Sequence, residues 1–88
     1  MEQYYPIDCL KEKIEEQSSK KNPIMSIEFF LHNDGKFTPF HKISSLDSSV
    51  LYVEHEPLEV NVHRCNSFLL SCLDKIPTDE DLYFLVTL

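Results

Sequence analysis

The side chains with the most chemistry in this 88-residue sequence are four histidines, His32, His41, His55 and His63, and three cysteines, Cys9, Cys65 and Cys72. His55, His63, Cys65 and Cys72 are the ligand types of a tetrahedral zinc site, and His63-x-Cys65 brings two of them close along the chain. Their spacing argues against zinc: there is no CxxC or HxxxH pair, and Cys65 and Cys72 fit an apolar helical stripe, where cysteine behaves as a small hydrophobe. Nucleophilic catalysis by Cys9 or Cys65 with His63 as base needs a third, orienting group and donors for an oxyanion. The single glycine, Gly35, is already required by a turn. Glu54, Glu56 and Glu59, and the run Asp79-Glu80-Asp81, supply carboxylates, but in no spacing that builds a calcium loop. The sequence therefore predicts no catalytic residue, no metal and no cofactor, and all four histidines are read as structural or surface residues.

Charge narrows the partners. Fifteen acidic residues stand against eight basic ones, a formal net charge of −7. Residues 1–22 and 23–50 are each close to neutral, whereas residues 51–88 carry seven acids against Arg64 and Lys75. Binding nucleic acid through phosphates needs clustered Lys and Arg, and the sequence has none beyond Lys11/Lys13 and Lys20/Lys21. The 42% hydrophobic content supports one core. No apolar run approaches the ~20 residues of a membrane helix. The amino terminus lacks the pattern of a secretory signal, and an odd number of cysteines is read as free thiols; the expectation is an intracellular, cytoplasmic protein, with the nucleus open.

The elements that position these residues follow from periodicity. Leu10, Ile14 and Gln17 at helical spacing after Asp8 predict an amino-terminal helix, thinly apolar and so peripheral, closed by Asn22-Pro23. Met25, Ile27, Phe29 and Leu31 alternate with Ser26, Glu28, Phe30 and His32, a half-buried strand. Asn33-Asp34-Gly35 is read as a type I turn with a glycine bulge, setting Leu31 opposite Phe37 and Phe29 opposite Pro39. In that register Phe30 and Phe40 point away from the helices. Val50–His63 is read as one bent strand or two short ones, because the apolar parity changes at Glu54-His55-Glu56-Pro57. Cys65, Phe68, Leu69, Cys72, Leu73 and Ile76 predict the core helix, capped by Asn66 or Ser67 and ended by Pro77. Leu82 to Leu88 reads as a last strand buried on both faces.

The expected fold class is α+β, in the order α-β-β-β(β)-α-β: a small antiparallel or mixed sheet with helices packed on one face. One domain spans 1–88, with 1–22 as peripheral helix and linker and 23–88 as sheet plus core helix. The α-β-β-β-α portion is similar in element order to double-stranded-RNA-binding domains. Arg64, Cys65, Asn66 and Ser67 stand where such domains carry a basic cluster, so the resemblance implies the fold without the RNA binding.

What remains is apolar surface in excess of one core. Phe30, Phe40, Tyr83 and Leu85 are the candidates for a protein interface on the open sheet face. The expected function is a non-catalytic protein-interaction module that associates through an apolar sheet face or a strand edge, either as a homodimer, with the apolar last strand and the hairpin edge that Pro39 leaves incompletely paired as the pairing edges, or docked on a larger protein. The alternative is an acidic inhibitor of viral or phage type, with Glu54, Glu56 and Glu59 blocking a basic site on a host enzyme.

Overall fold

The computed structural model describes residues 3–88. Its central hairpin is set by two residues with positive φ, Asp34 at 51° and Gly35 at 75°. Consecutive left-handed residues make a type I′ loop of two residues, whose twist matches that of the strands it joins. Strands β2 (Ser26–Asn33) and β3 (Lys36–Pro39) therefore pair with His32 opposite Phe37 and Phe30 opposite Pro39. This register differs from the expected one by a single residue, and such a slip exchanges the faces of every side chain beyond the turn. Phe37 moves to the open face and Phe40 moves into the core. A β-carbon on Gly35 meets no atom within 4 Å, so alanine there carries only the conformational penalty. Gly35→Ala is expected to cost about 1 kcal/mol, a fall of roughly 4–8 °C in melting temperature, read by thermal denaturation.

After β3 the chain swells and then returns to the same edge of β2. Phe40 N–H donates to the Phe29 carbonyl at 3.0 Å, and Phe29 N–H donates to the Ser44 carbonyl at 3.0 Å, so residues 40–44 all lie across from Phe29. Pairing resumes in β4 (Ser45–Asp47), with Glu28 opposite Ser45 and Ile27 opposite Leu46. The other edge of β2 is taken by β5 (Leu82–Thr87), with Phe29 opposite Phe84 and Phe30 opposite Tyr83. A two-residue strand, β1 (Tyr5–Pro6), adds to the far side of β5. The sheet is antiparallel throughout, in the order β1-β5-β2-β3, with β4 continuing the β3 edge.

Helices α1 (Leu10–Ser19) and α2 (Leu58–Ser71) cover one face. The α+β class and the element order are as expected; several boundaries are not. The amino-terminal helix is not peripheral, because Leu10 and Ile14 are buried in the same core as Ile27, Phe29, Leu82 and Phe84. No side chain caps it; a 3₁₀ turn, Ile7–Cys9, leads into it after Pro6. It ends on Lys21 at φ 60°, where Asn22 N–H reaches the Gln17 carbonyl at 2.9 Å and Lys21 N–H the Ser18 carbonyl at 3.1 Å, the paired bonds of a Schellman close.

The segment expected as strand, Val50–His63, holds a 3₁₀ turn at Ser49–Leu51 and then the first six residues of α2. Pro57 fixes the entry to α2, and the predicted caps Asn66 and Ser67 sit well inside the helix. The buried positions of α2 are Asn61, Val62, Cys65, Asn66 and Leu69, a helical period in which two members are polar. Each is satisfied. Asn61 grips the preceding loop, accepting from Val53 N–H at 2.7 Å and donating to the Val53 carbonyl at 2.8 Å. Asn66 accepts from Ile24 N–H at 2.9 Å and donates to Ser18 Oγ at 2.9 Å and to the Asn22 carbonyl at 3.2 Å.

Candidate protein-interaction surface

With both helices on one side, the opposite face of the sheet lacks a second layer. Strand parity places Phe30 and His32 of β2, Phe37 of β3 and Tyr83 of β5 on it. Tyr4, just before β1, joins them: its ring stacks on Phe37 with centroids 4.2 Å apart and planes at 5°. It also meets Phe30 edge-on at 5.0 Å and 88°. Phe37 meets Tyr83 edge-on at 5.2 Å, and His32 lies 4.9 Å from Phe37 and 5.1 Å from Tyr83. The five rings form one connected cluster, in which Tyr4, Phe30, Phe37 and Tyr83 meet in stacked or edge-to-face geometry and His32 lies tilted against two of them. Phe37 remains 36% exposed, and Tyr4, Phe30, His32 and Tyr83 are half-buried.

His32 is tied down at the end of the cluster. Its backbone N–H donates to the Asp81 carbonyl at 2.9 Å, and its Nδ1 lies 3.1 Å from Asp81 Oδ2. These two bonds join the hairpin to the acidic loop ahead of β5.

Of the four predicted interface residues, the structure brings Phe30 and Tyr83 together as cross-strand neighbours on the open face. The expected exposure of the other two is corrected. Phe40 is 1% exposed, carried into the core by the one-residue change of register and by the swelling that follows Pro39. Leu85, opposite Glu28 on the open face, is only 7% exposed. Tyr4 and Phe37 were not expected there, and His32, which strand alternation sets on the face of Phe30, was not among the interface candidates. Reading Asp34-Gly35 as a two-residue loop is the sequence signal that places Phe37 correctly.

The acidic candidates are partly neutralised by their surroundings. Glu56 bonds Arg64 Nη2 at 2.6 Å, and the same guanidinium donates to the Leu51 carbonyl at 3.2 Å. Glu59 pairs with Lys21 at 3.2 Å, while Glu54 is exposed. A dense polyanionic patch does not form at 54–59.

The potential zinc ligands are not brought together: among the described residues no three His, Cys, Asp or Glu side chains form a metal-sized group. Cys65 is buried, its thiol donating to the Ser48 carbonyl at 3.5 Å, and burial pushes its pKa up. His63 points to the exposed side of the same helix. Because the thiolate is the reactive form, the half-buried Cys9 is expected to label with maleimide well before Cys65 or Cys72, a sequence that peptide mass mapping reads directly. Where the double-stranded-RNA-binding resemblance calls for basic residues, α2 opens with Leu58-Glu59-Val60. No helix among the described residues is long and apolar enough to cross a membrane.

Other apolar side chains are exposed, among them Val50, Tyr52, Val53, Leu58 and Val60. They lie on the loop before α2 and on its first turn, and Tyr52 stacks on no other ring among the described residues. The sheet face is the more organised surface. No family model matches the chain, no curated protein is recognisably similar to it, and no solved structure matches its fold.

Proposed function

We propose that this protein is a non-catalytic protein-interaction module that docks on a partner protein through the aromatic face of its sheet. The observation that carries the reading is the connected cluster of Tyr4, Phe30, His32, Phe37 and Tyr83 on the face without a second layer. Aromatic side chains present large contact area at small entropic cost, and they are enriched where protein surfaces associate. Their mutual packing orders the rings before a partner arrives, which lowers the cost of binding.

A larger partner fits better than a second copy. β5 lies between β1 and β2, so of the two edges expected for strand-to-strand self-association only the hairpin edge is outermost, and its four-residue strand ends on Pro39, which has no N–H to donate. Face-to-face pairing of two copies brings together two faces whose outward charged residues, Glu28 and Asp47, are both acidic. The inhibitor reading loses support from the Glu56–Arg64 and Glu59–Lys21 pairs, which spend two of its three carboxylates internally.

Phe37→Ser tests the proposal, because Phe37 is the most exposed ring of the surface cluster and lies outside the core. The variant is expected to keep its far-ultraviolet circular dichroism and to lose the partner captured by the parent chain from native extract, with affinity falling about 30-fold or more, as for a central aromatic anchor. Light scattering is expected to give the monomer mass of 10.3 kDa. A folded Phe37→Ser chain that captures the same partner undiminished removes the basis of the proposal.

A further inference from the structure

The charges around the ring cluster identify the chemistry of what it receives. Parity places two charged residues on the sheet's open face, Glu28 of β2 and Asp47 of β4, and neither is ion-paired among the described residues. The helical layer holds bases as well as acids: Glu16 lies between Lys13 and Lys20, and Glu56 and Glu59 have Arg64 and Lys21. On the sheet side no lysine or arginine occupies an outward strand position among the described residues. Asp47 is held ionised by Ser49, whose hydroxyl and backbone N–H both donate to Oδ1 and hold the carboxyl below its ordinary range.

Glu28 and Asp47 share a groove of about 460 Å³ with Phe30 and Pro39. The groove thus joins an apolar wall, continuous with the ring cluster, to two carboxylates without cations. We propose that it receives an arginine side chain from a cationic segment of the partner protein; this inference rests on the interaction reading above and names its partner's chemistry. A guanidinium lies flat on an aromatic face while its N–H groups fork onto a carboxylate, and its stem covers apolar surface on the way. A lysine supplies the charge without the plane. A second copy of the chain brings carboxylates to carboxylates. A single strand of nucleic acid offers bases to the rings but sets its phosphates against Glu28 and Asp47.

The test titrates the ¹⁵N-labelled full chain with three acetylated, amidated hexapeptides that alternate leucine with arginine, lysine or glutamine. The arginine peptide is expected to move the amides of Glu28, Phe30, Phe37 and Asp47, binding about threefold tighter than the lysine peptide and about tenfold tighter than the glutamine peptide. Glu28→Gln combined with Asp47→Asn is expected to bring the arginine peptide to within about twofold of the glutamine peptide, since exposed charge pairs contribute modestly. An arginine peptide that moves residues 54–59 and 74–81 as strongly as the sheet face, or that ignores the double substitution, overturns the inference. A glutamine peptide that occupies the same face as tightly overturns the charge assignment and leaves the interaction role standing. If none of the peptides moves the face, the arginine inference falls, while the interaction reading is decided separately by partner capture with Phe37→Ser.

Discussion

Phe29→Ala is expected to destabilise the protein by about 3–5 kcal/mol, the range for removing a fully buried aromatic side chain. Phe29 is where three parts of the structure meet. Its ring is buried in the core, its strand position faces Phe84, and its backbone holds both ends of the swollen segment through Phe40 and Ser44. A small domain has about 5–10 kcal/mol in total, so the variant is expected to keep about half of its stability or less and to melt well below the parent. Urea denaturation followed by circular dichroism checks this, with Phe37→Ala as reference. That exposed ring touches only its neighbours in the cluster, so its removal is expected to cost about 1 kcal/mol. Equal losses at the two positions contradict the assignment of Phe29 to the core and Phe37 to the surface.

Asn66→Ala is the second large effect, expected at about 2–4 kcal/mol, because the buried groups it leaves behind keep their desolvation cost without a partner. The side chain bridges α2 to the last turn of α1 through Ser18 and to the connector before β2 through Asn22 and Ile24. The loss corresponds to a melting temperature lower by roughly 10–25 °C. Asn66→Asp separates hydrogen bonding from packing. It keeps the acceptor for Ile24 N–H, but as a carboxylate it has no proton for Asn22, and burial raises its pKa in the folded state. A group whose folded pKa is raised stabilises below its unfolded pKa and loses that contribution as pH rises through the folded value. Asn66→Asp is therefore expected to lie closest to the parent near pH 4 and to fall further behind toward pH 7. A pH-independent difference from the parent places the cost in packing rather than in the missing donor.

Much of this fold is legible in the residue pattern, and the misreadings have physical causes. The alternation in Ser26–Asn33 and the apolar run at Leu82–Thr87 declare their strands because each buries a regular face. Leu10 and Ile14 mark α1, although two apolar residues understate how deeply it sits. The start of α2 was hidden because Asn61 and Asn66 occupy core positions. A pattern of apolar residues alone leaves Leu58, Val60 and Val62, which mimic a strand, although Leu58 and Val60 are exposed. Strands of two and three residues, Tyr5–Pro6 and Ser45–Asp47, are too short for any period to emerge and exist through the partners they pair with. The surface cluster was half legible. Phe30 and Tyr83 follow from parity, while Phe37 depends on the turn type and Tyr4 on a strand pairing that no local pattern announces.

The position of β5 also governs when this molecule can fold. Its residues, Leu82–Thr87, lie between β1 and β2, yet they follow every other strand and both helices along the chain. A nascent chain that has exposed everything up to the acidic loop contains the residues of the hairpin and of both helices, but it lacks Phe84. Nothing can zip the first strand to the rest until residue 87 has left the ribosome's exit tunnel. Closure then joins segments nearly the whole chain apart, a high-contact-order step that sets a slow folding rate for so small a protein. Until it occurs, an unfilled apolar slot is open to chaperones.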